Sequence, residues 1–354
     1  MEDNHLLKGR GAQINPRSRF LALKYDTAHI EGIDETDLSD VNTEYLYEDS
    51  KKIISKSNSP DLPLMHSVNP YQGCEHGCIY CYARNSHEYW GYGAGLDFER
   101  KILIKSNAPK RLEEAFNQPG YQPNTLFISG NTDCYQPIER TLGITRALLS
   151  ICLKYRHPVS LITKNSLILR DRDILEQLAR FNLVQVAVSL NSLQEDLRRK
   201  MEPRTVTAAG RLNVMRKLND QGIPVMLMCA PIIPGLNSSE MPEIIRQAAI
   251  HGARSASYTI VRLNGSVASI FRDWLYKAYP DRAQKVLNWI KACHGGNLND
   301  SQWGRRIKGG GIEAESIQQL FRMARSRYMG EAIMPLLRTD LFTPKKGQQL
   351  SLFD

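Results

Sequence analysis

The chain has 354 residues, 42% hydrophobic and 23% charged, with a formal net charge of +9. Those proportions describe an ordinary globular protein and exclude a disordered or fibrous one, and no run approaches the roughly 18 apolar residues of a membrane span, so no membrane partner is expected. The excess positive charge points to an anionic partner, nucleic acid first, although the 46 Lys and Arg residues are spread along the chain rather than massed in one block.

Residues 1–60 read as a polar, irregular N-terminal extension: Gly9-Arg10-Gly11 and Asn15-Pro16-Arg17-Ser18-Arg19 precede an acidic patch from Glu31 to Glu48. Then comes Asn69-Pro70-Tyr71-Gln72-Gly73-Cys74-Glu75-His76-Gly77-Cys78-Ile79-Tyr80-Cys81, with three cysteines at C-x3-C-x2-C and an aromatic residue before the last. Three thiolates so spaced hold three irons of a cuboidal iron-sulfur cluster and leave the fourth iron open to a small molecule, where four cysteines give an electron-transfer centre. Structural zinc fits less well, because it takes four ligands, usually as two close pairs, and His76 sits inside the loop. Seven cysteines, an odd number, in a chain without an N-terminal apolar h-region do not fit a disulfide scaffold. Cys152, in an apolar helical pattern, and Cys229, in a strand-like run, read as core thiols.

Short apolar runs then alternate with amphipathic helical patterns. Residues 125–129, 159–163, 184–189, 225–229 and 257–261 read as buried strands, and 109–117, 144–156, 172–181, 208–221 and 241–251 as helices. With one more strand before the cysteine loop this makes about six β/α units, and that alternation marks a parallel sheet with right-handed crossovers. Residues 266–343 read as helical, at 266–279, 281–293 and 312–328; between them, Trp303 to Gly311 combines an aromatic ring, basic residues and glycines. Such a loop suits contact with phosphates and a base, or equally a solvated connector. In the tail, 344–354, a polar linker leads to Gln349-Leu350-Ser351-Leu352-Phe353, whose three apolar anchors at a flexible end mark a docking peptide. The alternative is a tail folded back on its own chain.

The cysteine spacing, with Tyr80 as the aromatic, resembles the signature of the radical S-adenosylmethionine (radical SAM) enzymes, and residues 61–265 resemble their partial (β/α)6 barrel. The resemblance implies an α/β fold with an irregular N-terminal extension and helical C-terminal additions. It also implies a 4Fe-4S cluster on Cys74, Cys78 and Cys81, with SAM chelating the fourth iron. Reductive cleavage of SAM to a 5′-deoxyadenosyl radical follows, served by an electron donor such as flavodoxin or ferredoxin. In such barrels the chemistry sits at the C-terminal ends of the strands. The candidates there are Ser129, Gly130, Asn131 and Asp133 for the SAM amino group, Lys164 for its carboxylate, Ser189 and Asn191 for the ribose, and Ile233 and Gly235 for the adenine, beside Tyr80. Polar residues at strand ends also serve as turns and helix caps.

Asn-Pro-Tyr-x-Gly-Cys at 69–74, the Asn131-Thr132-Asp133 turn, and Ser189-Leu190-Asn191 with Glu202-Pro203-Arg204-Thr205 are similar to the spore photoproduct lyase and DNA repair photolyase group, over the barrel but not the N-terminal segment. Those lyases use a cysteine at the end of the second strand as hydrogen donor, three residues before an Asp. Aligned on Asp133, this chain has Gly130 there and Cys134 four residues on, so Cys134 is a displaced candidate donor or a structural thiol, and Tyr82 and Tyr135 are candidate radical relays. The pentapeptide 349–353 looks like the bacterial sliding-clamp-binding motif. Together the resemblances imply a cytoplasmic bacterial enzyme that repairs a DNA base lesion. The alternatives are radical SAM modification of RNA, a peptide or a small molecule, and a non-catalytic iron-sulfur protein that binds DNA beside the clamp.

Overall fold

The computed structural model describes residues 6–20, 42–57, 59–61 and 66–344, so the tail pentapeptide Gln349 to Phe353 lies outside the described residues. Among those described there are ten strands: β1 (Glu44–Tyr47), β2 (Ser55–Lys56), β3 (His66–Val68), β4 (Tyr71–Gln72), β5 (Lys101–Ile104), β6 (Leu126–Ile128), β7 (Val159–Thr163), β8 (Val184–Ser189), β9 (Val225–Ile232) and β10 (Ser255–Ile260). Strands β3, β6, β7, β8, β9 and β10 lie side by side in that order and run parallel, with β2 antiparallel on the β3 edge. Leu126 of β6 faces both His66 of β3 and Val159 of β7, and Val159 in turn faces Val184 of β8.

Helices Ala108–Phe116, Ile144–Lys154, Arg172–Arg180, Ala208–Asn219 and Met241–Ile250 link these strands. Leu148, Leu149 and Cys152, Leu175 and Leu178, and Ile244 and Ile245 from three of them join Val159, Leu161, Val184, Val186, Val225 and Leu227 in one buried core. Strands covered on both faces favour unbroken Val, Leu and Ile runs, which is why these segments read so clearly as strands.

Among the described residues β10 and β3 are not paired, so the sheet is a six-unit barrel open on one side. Three helices follow it, Val267–Ala278, Pro280–Cys293 and Ile312–Met329. The segment before the last of them straps the open side. Ile307 and Leu298 carbonyls accept from the amides of Ile260 (3.0 Å) and Leu263 (2.9 Å), while Asp61, on the approach to β3, accepts from Gly304 N at 2.8 Å and pairs with Arg306. The loop from Trp303 to Gly311 is therefore not a loose connector: Arg305 pairs with Asp300, Lys308 Nζ donates to the Tyr258 carbonyl at 2.7 Å, and Trp303 stays 52% exposed with Arg306 at 3.7 Å over its ring.

The N-terminal segment departs from the expected irregular extension. β1 pairs with β5, and β5 with β4, in a small separate sheet that runs straight into the cysteine loop. Ala12 is fully buried, and the buried Glu99 carboxylate accepts from the amides of Gly11 (3.2 Å) and Ala12 (2.7 Å) and pairs with Arg84 at 2.6 Å. Polar composition hid this because much of the anchorage is through backbone amides, with only the scattered apolar Leu6, Leu7, Ala12 and Ile14 packing on the core. A Cβ on Gly11 would lie 1.7 Å from the Gly77 carbonyl oxygen, backbone against backbone. Gly11→Ala is expected to cost about 3 kcal/mol, the upper range of overpacking, and to loosen the loop that carries the cysteines. A lower unfolding temperature together with lower iron content after reconstitution would show it; wild-type values for both would mean that the peptide is not seated there.

His157 joins two parts of the core. Its ring stacks on Phe116 (centroids 4.3 Å apart), Nδ1 donates to the Pro158 carbonyl at 2.9 Å, and Nε2 accepts from Tyr121 Oη at 2.9 Å. Burial pushes the imidazole down to about 4, and burial does the same to His87. Between pH 6.5 and 4 the unfolded chain thus binds more protons than the folded one, so this stability is complete above about pH 6.5 and is lost as the pH falls towards 4, by about 3 kcal/mol per histidine. Thermal unfolding between pH 7 and 5 should show the decline, with a shallower decline in His157→Gln; identical pH slopes would remove His157 as a cause.

Candidate active site

Tyr71 and Gln72 of β4 lead into the cysteine loop, and Gly73 makes the turn with φ 83°, where a Cβ would meet the Lys101 carbonyl oxygen at 2.7 Å. The loop is held by its backbone: Cys74 N donates to Phe98 O (2.9 Å) and Ile79 N to Met201 O (3.0 Å). Glu75, almost fully buried, accepts from Tyr45 Oη at 3.0 Å and Ile138 N at 2.9 Å. Cys74 and Cys78 are buried, Cys81 is half-buried, and all three are free thiols. Burial pushes the Cys74 thiol well up, reinforced by Asp133; it also raises Cys78, against the nearby Lys164 ammonium. Ligation of iron replaces the thiol protons and reverses that penalty. Among the described residues, no three His, Cys, Asp or Glu side chains converge on a single ion. A 4Fe-4S cube takes one thiolate per iron, so its ligands need not converge.

Three groups surround the loop. Asp133 Oδ1 accepts from Tyr135 N (2.9 Å) and Thr163 Oγ1 (2.8 Å), and Oδ2 accepts from Lys164 N at 2.8 Å and lies 3.3 Å from His76 Nδ1. Burial pushes this carboxyl up, but the His76 imidazole and the two amides outweigh it and hold the group down at about 2. Opposite, Tyr80 Oη donates to the fully buried Glu202 and accepts from Asn191 Nδ2 at 3.2 Å; Glu202 also pairs with the buried Arg211, which donates to Ser189 O at 3.0 Å. The third group is apolar: Ile233 packs with Cys78, Ile79 and Tyr80, and Asn237 fixes it by accepting from Ile233 N at 2.6 Å and donating to Asn191 O at 2.8 Å.

Tyr80, Lys164, Asn191 and Ile233 are thus brought to the cysteine loop, and buried Asn191 Oδ1 has no hydrogen-bond partner among the described residues. An orphaned buried acceptor is costly unless a ligand donates to it. Other candidates are committed elsewhere. Asp133 already accepts from three protein donors, with His76 beside its Oδ2. Ser129, at φ 82°, donates to Thr132 O (2.7 Å), and Asn131 donates to Gln72 Oε1 and Ser86 Oγ, each at 3.0 Å. Ser189 is buried, its backbone carbonyl accepting from Arg211. Gly235 does not face the mouth: a Cβ there would lie 2.5 Å from the Trp289 ring, and the glycine lines an outer cavity of about 240 Å³ with Trp289 and Leu320. A larger outer cavity, about 400 Å³, is lined by Arg146, Arg170 and Asp173, again away from the cysteine loop.

The candidate relays separate. Tyr82 is 55% exposed and its hydroxyl donates to the Gly130 carbonyl. Tyr135 is buried, with Oη donating to Asp171 at 3.1 Å within the Arg170 and Glu139 cluster, so it does not reach the mouth. Cys134 is fully buried in the core near Tyr71, its amide bonded to Ser129 Oγ (3.1 Å) and its carbonyl to Thr145 Oγ1 (2.7 Å), the setting of a packing thiol and not of a hydrogen donor at the mouth. Arg211, Glu99 and Asn237 escaped the sequence reading, and Glu202 and His76 were noted there without these roles, since their partners are distant in the chain and no spacing marks the contacts.

The sequence model of the Radical SAM superfamily matches residues 68–248, just over half of the chain. The chain belongs to the radical SAM superfamily. Members are enzymes that use a 4Fe-4S cluster and S-adenosylmethionine, and three free thiols, two buried and one half-buried, beside a lysine and an unpaired Asn191 oxygen fit that pair of groups. An uncharacterised protein of Mycobacterium tuberculosis is 31% identical over 226 residues, 63% of this chain and 66% of that protein, so the match spans just under two thirds of the relative. Another, from Methanocaldococcus jannaschii, is 27% identical over 68% of this radical SAM chain and 85% of its own length. In fold the chain is similar to spore photoproduct lyase complexed with dinucleoside spore photoproduct, with a TM-score of 0.60 and 14% identity over 81% of this chain and 80% of that one. The form of that lyase with bound AdoMet gives a TM-score of 0.59 over the same shares. Among the described residues, no helix of this radical SAM protein is long and apolar enough to cross a membrane.

Proposed function

We propose that this chain is a bacterial, cytoplasmic radical SAM enzyme acting on DNA, in repair of a base lesion. The observation that carries the reading is the extent of the fold likeness: it covers 81% of the chain, well beyond the barrel, and similar structures include lyases holding a dinucleoside photoproduct. A net charge of +9 favours a polyanionic substrate over a neutral one.

When bound, the cluster and SAM supply a 5′-deoxyadenosyl radical. Cys74, Cys78 and Cys81 would hold the cluster, one thiolate per iron. The Lys164 ammonium would take the SAM carboxylate, Asn191 Oδ1 a ribose hydroxyl, and Ile233 would give adenine an apolar wall. Tyr80 is fixed by Glu202 and orients Asn191 in turn. Tyr82, exposed at the rim, is the relay candidate in this reading.

The test is anaerobic reconstitution with iron and sulfide, reduction with dithionite in the presence of SAM, and chromatography for 5′-deoxyadenosine. Faster formation with ultraviolet-damaged DNA than with intact DNA is expected; a rate indifferent to DNA would sink the repair reading. Flavodoxin or ferredoxin would serve as the physiological reductant.

The tail pentapeptide would dock on the sliding clamp. In support, Phe342 packs on Phe116 and His157 and Thr343 N donates to Tyr155 O, by the N-terminal end of β7, so the last described residues lie opposite the barrel mouth. Deleting residues 349–354 is expected to abolish clamp binding in a titration while SAM cleavage persists. Equal clamp binding by both forms would rule the docking out.

A further inference from the structure

Arg262 follows the end of β10 by two residues, so it stands at the rim of the mouth, on the open side of the barrel. Its neighbours are pinned: Val261 N donates to Ile232 O at 2.8 Å, His294 Nε2 bonds to Val261 O at 2.8 Å, and Leu263 N donates to Leu298 O at 2.9 Å. The Arg262 side chain is half-buried, yet among the described residues it has no ion pair or hydrogen bond, and burial lowers its pKa. The carboxylates that act on it, Asp61 and Asp300, are taken. Asp61 accepts from Gly304 N (2.8 Å) and pairs with Arg306; Asp300 accepts from Gln302 N (2.8 Å) and pairs with Arg305. Lys308 adds a further cation on the same strap, bonded only to a carbonyl and lying 3.7 Å over the Tyr258 ring. Two carboxylates thus face four cations and pair with Arg305 and Arg306; of the two left over, Lys308 bonds to a carbonyl and Arg262 to no group among the described residues.

A half-buried guanidinium without a protein partner is free to take an anion, and its fork suits phosphate oxygens. The surroundings indicate which anion. On one side is Tyr82, exposed and directly after Cys81; on the other, Arg306 lies against the exposed ring of Trp303. Charge at a rim flanked by exposed aromatic side chains is the arrangement that tracks a nucleic-acid strand, the backbone on the cation and bases on the rings.

We infer that Arg262 binds a backbone phosphate of the DNA strand entering the mouth from its strapped side, with Trp303 as a stacking platform beside it. This rests on the DNA reading above and adds its point of contact. A phosphate contact leaves a signature in the salt dependence of binding, because each one releases condensed counterions.

The experiment titrates a fluorescent 20-base-pair duplex, irradiated with ultraviolet light, with reconstituted protein from 50 to 200 mM salt. Wild type is compared with Arg262→Ala, Arg262→Lys and Trp303→Ala, each first checked for wild-type iron content and unfolding temperature. Loss of one contact should make the slope of log K against log salt shallower by about 0.9 in Arg262→Ala, and Arg262→Lys should restore it. Trp303→Ala should weaken binding about tenfold or more with the slope unchanged, because stacking carries no charge. A steep wild-type slope that Arg262→Ala leaves intact overturns the contact while the DNA reading stands. Wild-type protein without measurable, salt-dependent DNA affinity overturns both. Should Arg262→Ala fail to fold, the Arg262→Lys and Trp303→Ala pair decides: a changed slope in the first or unchanged affinity in the second counts against the inference.

Discussion

Cys78→Ala protein, reconstituted anaerobically with iron and sulfide, is expected to hold far less iron than wild type and to form no 5′-deoxyadenosine. The same holds for Cys74→Ala and Cys81→Ala. Each thiolate serves one iron, so losing any one exposes a second iron to solvent and removes a bond that no neighbouring side chain can replace. His76, the nearest substitute by sequence, is buried against Asp133 and Asn165 and is not free to turn. The loss should exceed the 10–100-fold typical of changes behind a metal's ligands. Cys152→Ala is the matched control: a fully buried thiol in the core, whose removal costs packing but leaves iron and turnover in place. Full iron content and turnover in any of the three loop variants would end the cluster assignment.

The second large effect belongs to the pair beneath Tyr80. Glu202 is fully buried and Arg211 is 1% exposed; Glu202 meets Tyr80 Oη and Arg211, which donates onward to Ser189 O at 3.0 Å. Glu202→Ala strands a buried guanidinium, and a cost of about 3–5 kcal/mol is expected. The Glu202→Met, Arg211→Met double variant should recover much of that, since removing both charges leaves nothing unpaired. Chemical unfolding of the single and double variants measures the coupling. The double variant should still bind SAM more weakly, because Tyr80 loses the group that holds it against Asn191. A cost below about 1 kcal/mol for Glu202→Ala would mean that the pair is solvated rather than buried.

Much of the fold was legible because its signals are local. Val159 to Thr163 and Val184 to Ser189 are strands at the expected positions, their β-branched and apolar side chains marking a layer covered on both faces. The helices end within about two residues of their expected ends, the usual margin for frayed termini. The cysteine loop was legible for a different reason: its chemistry needs fixed residue types at fixed spacing on one short stretch. The N-terminal segment failed the same reading because its few apolar anchors are scattered and the Glu99 carboxylate, 87 residues from Ala12, grips backbone amides that leave no trace in side-chain polarity.

The sequence by itself determined which segments become strands and helices and where three thiolates stand together, since hydrophobic periodicity and motif spacing act over a few residues. Only the tertiary structure decided which polar side chains remain available. Asp133 and Asn191 look alike as strand-end candidates, yet Asp133 accepts from Thr163, Lys164 and Tyr135 while Asn191 keeps a buried oxygen unpaired. Likewise, Arg306 and Arg262 read as equivalent basic residues until Asp61 pairs with the first and leaves the second at the rim. Satisfaction of a hydrogen bond or a charge depends on groups brought together from distant parts of the chain, and no local pattern carries that information.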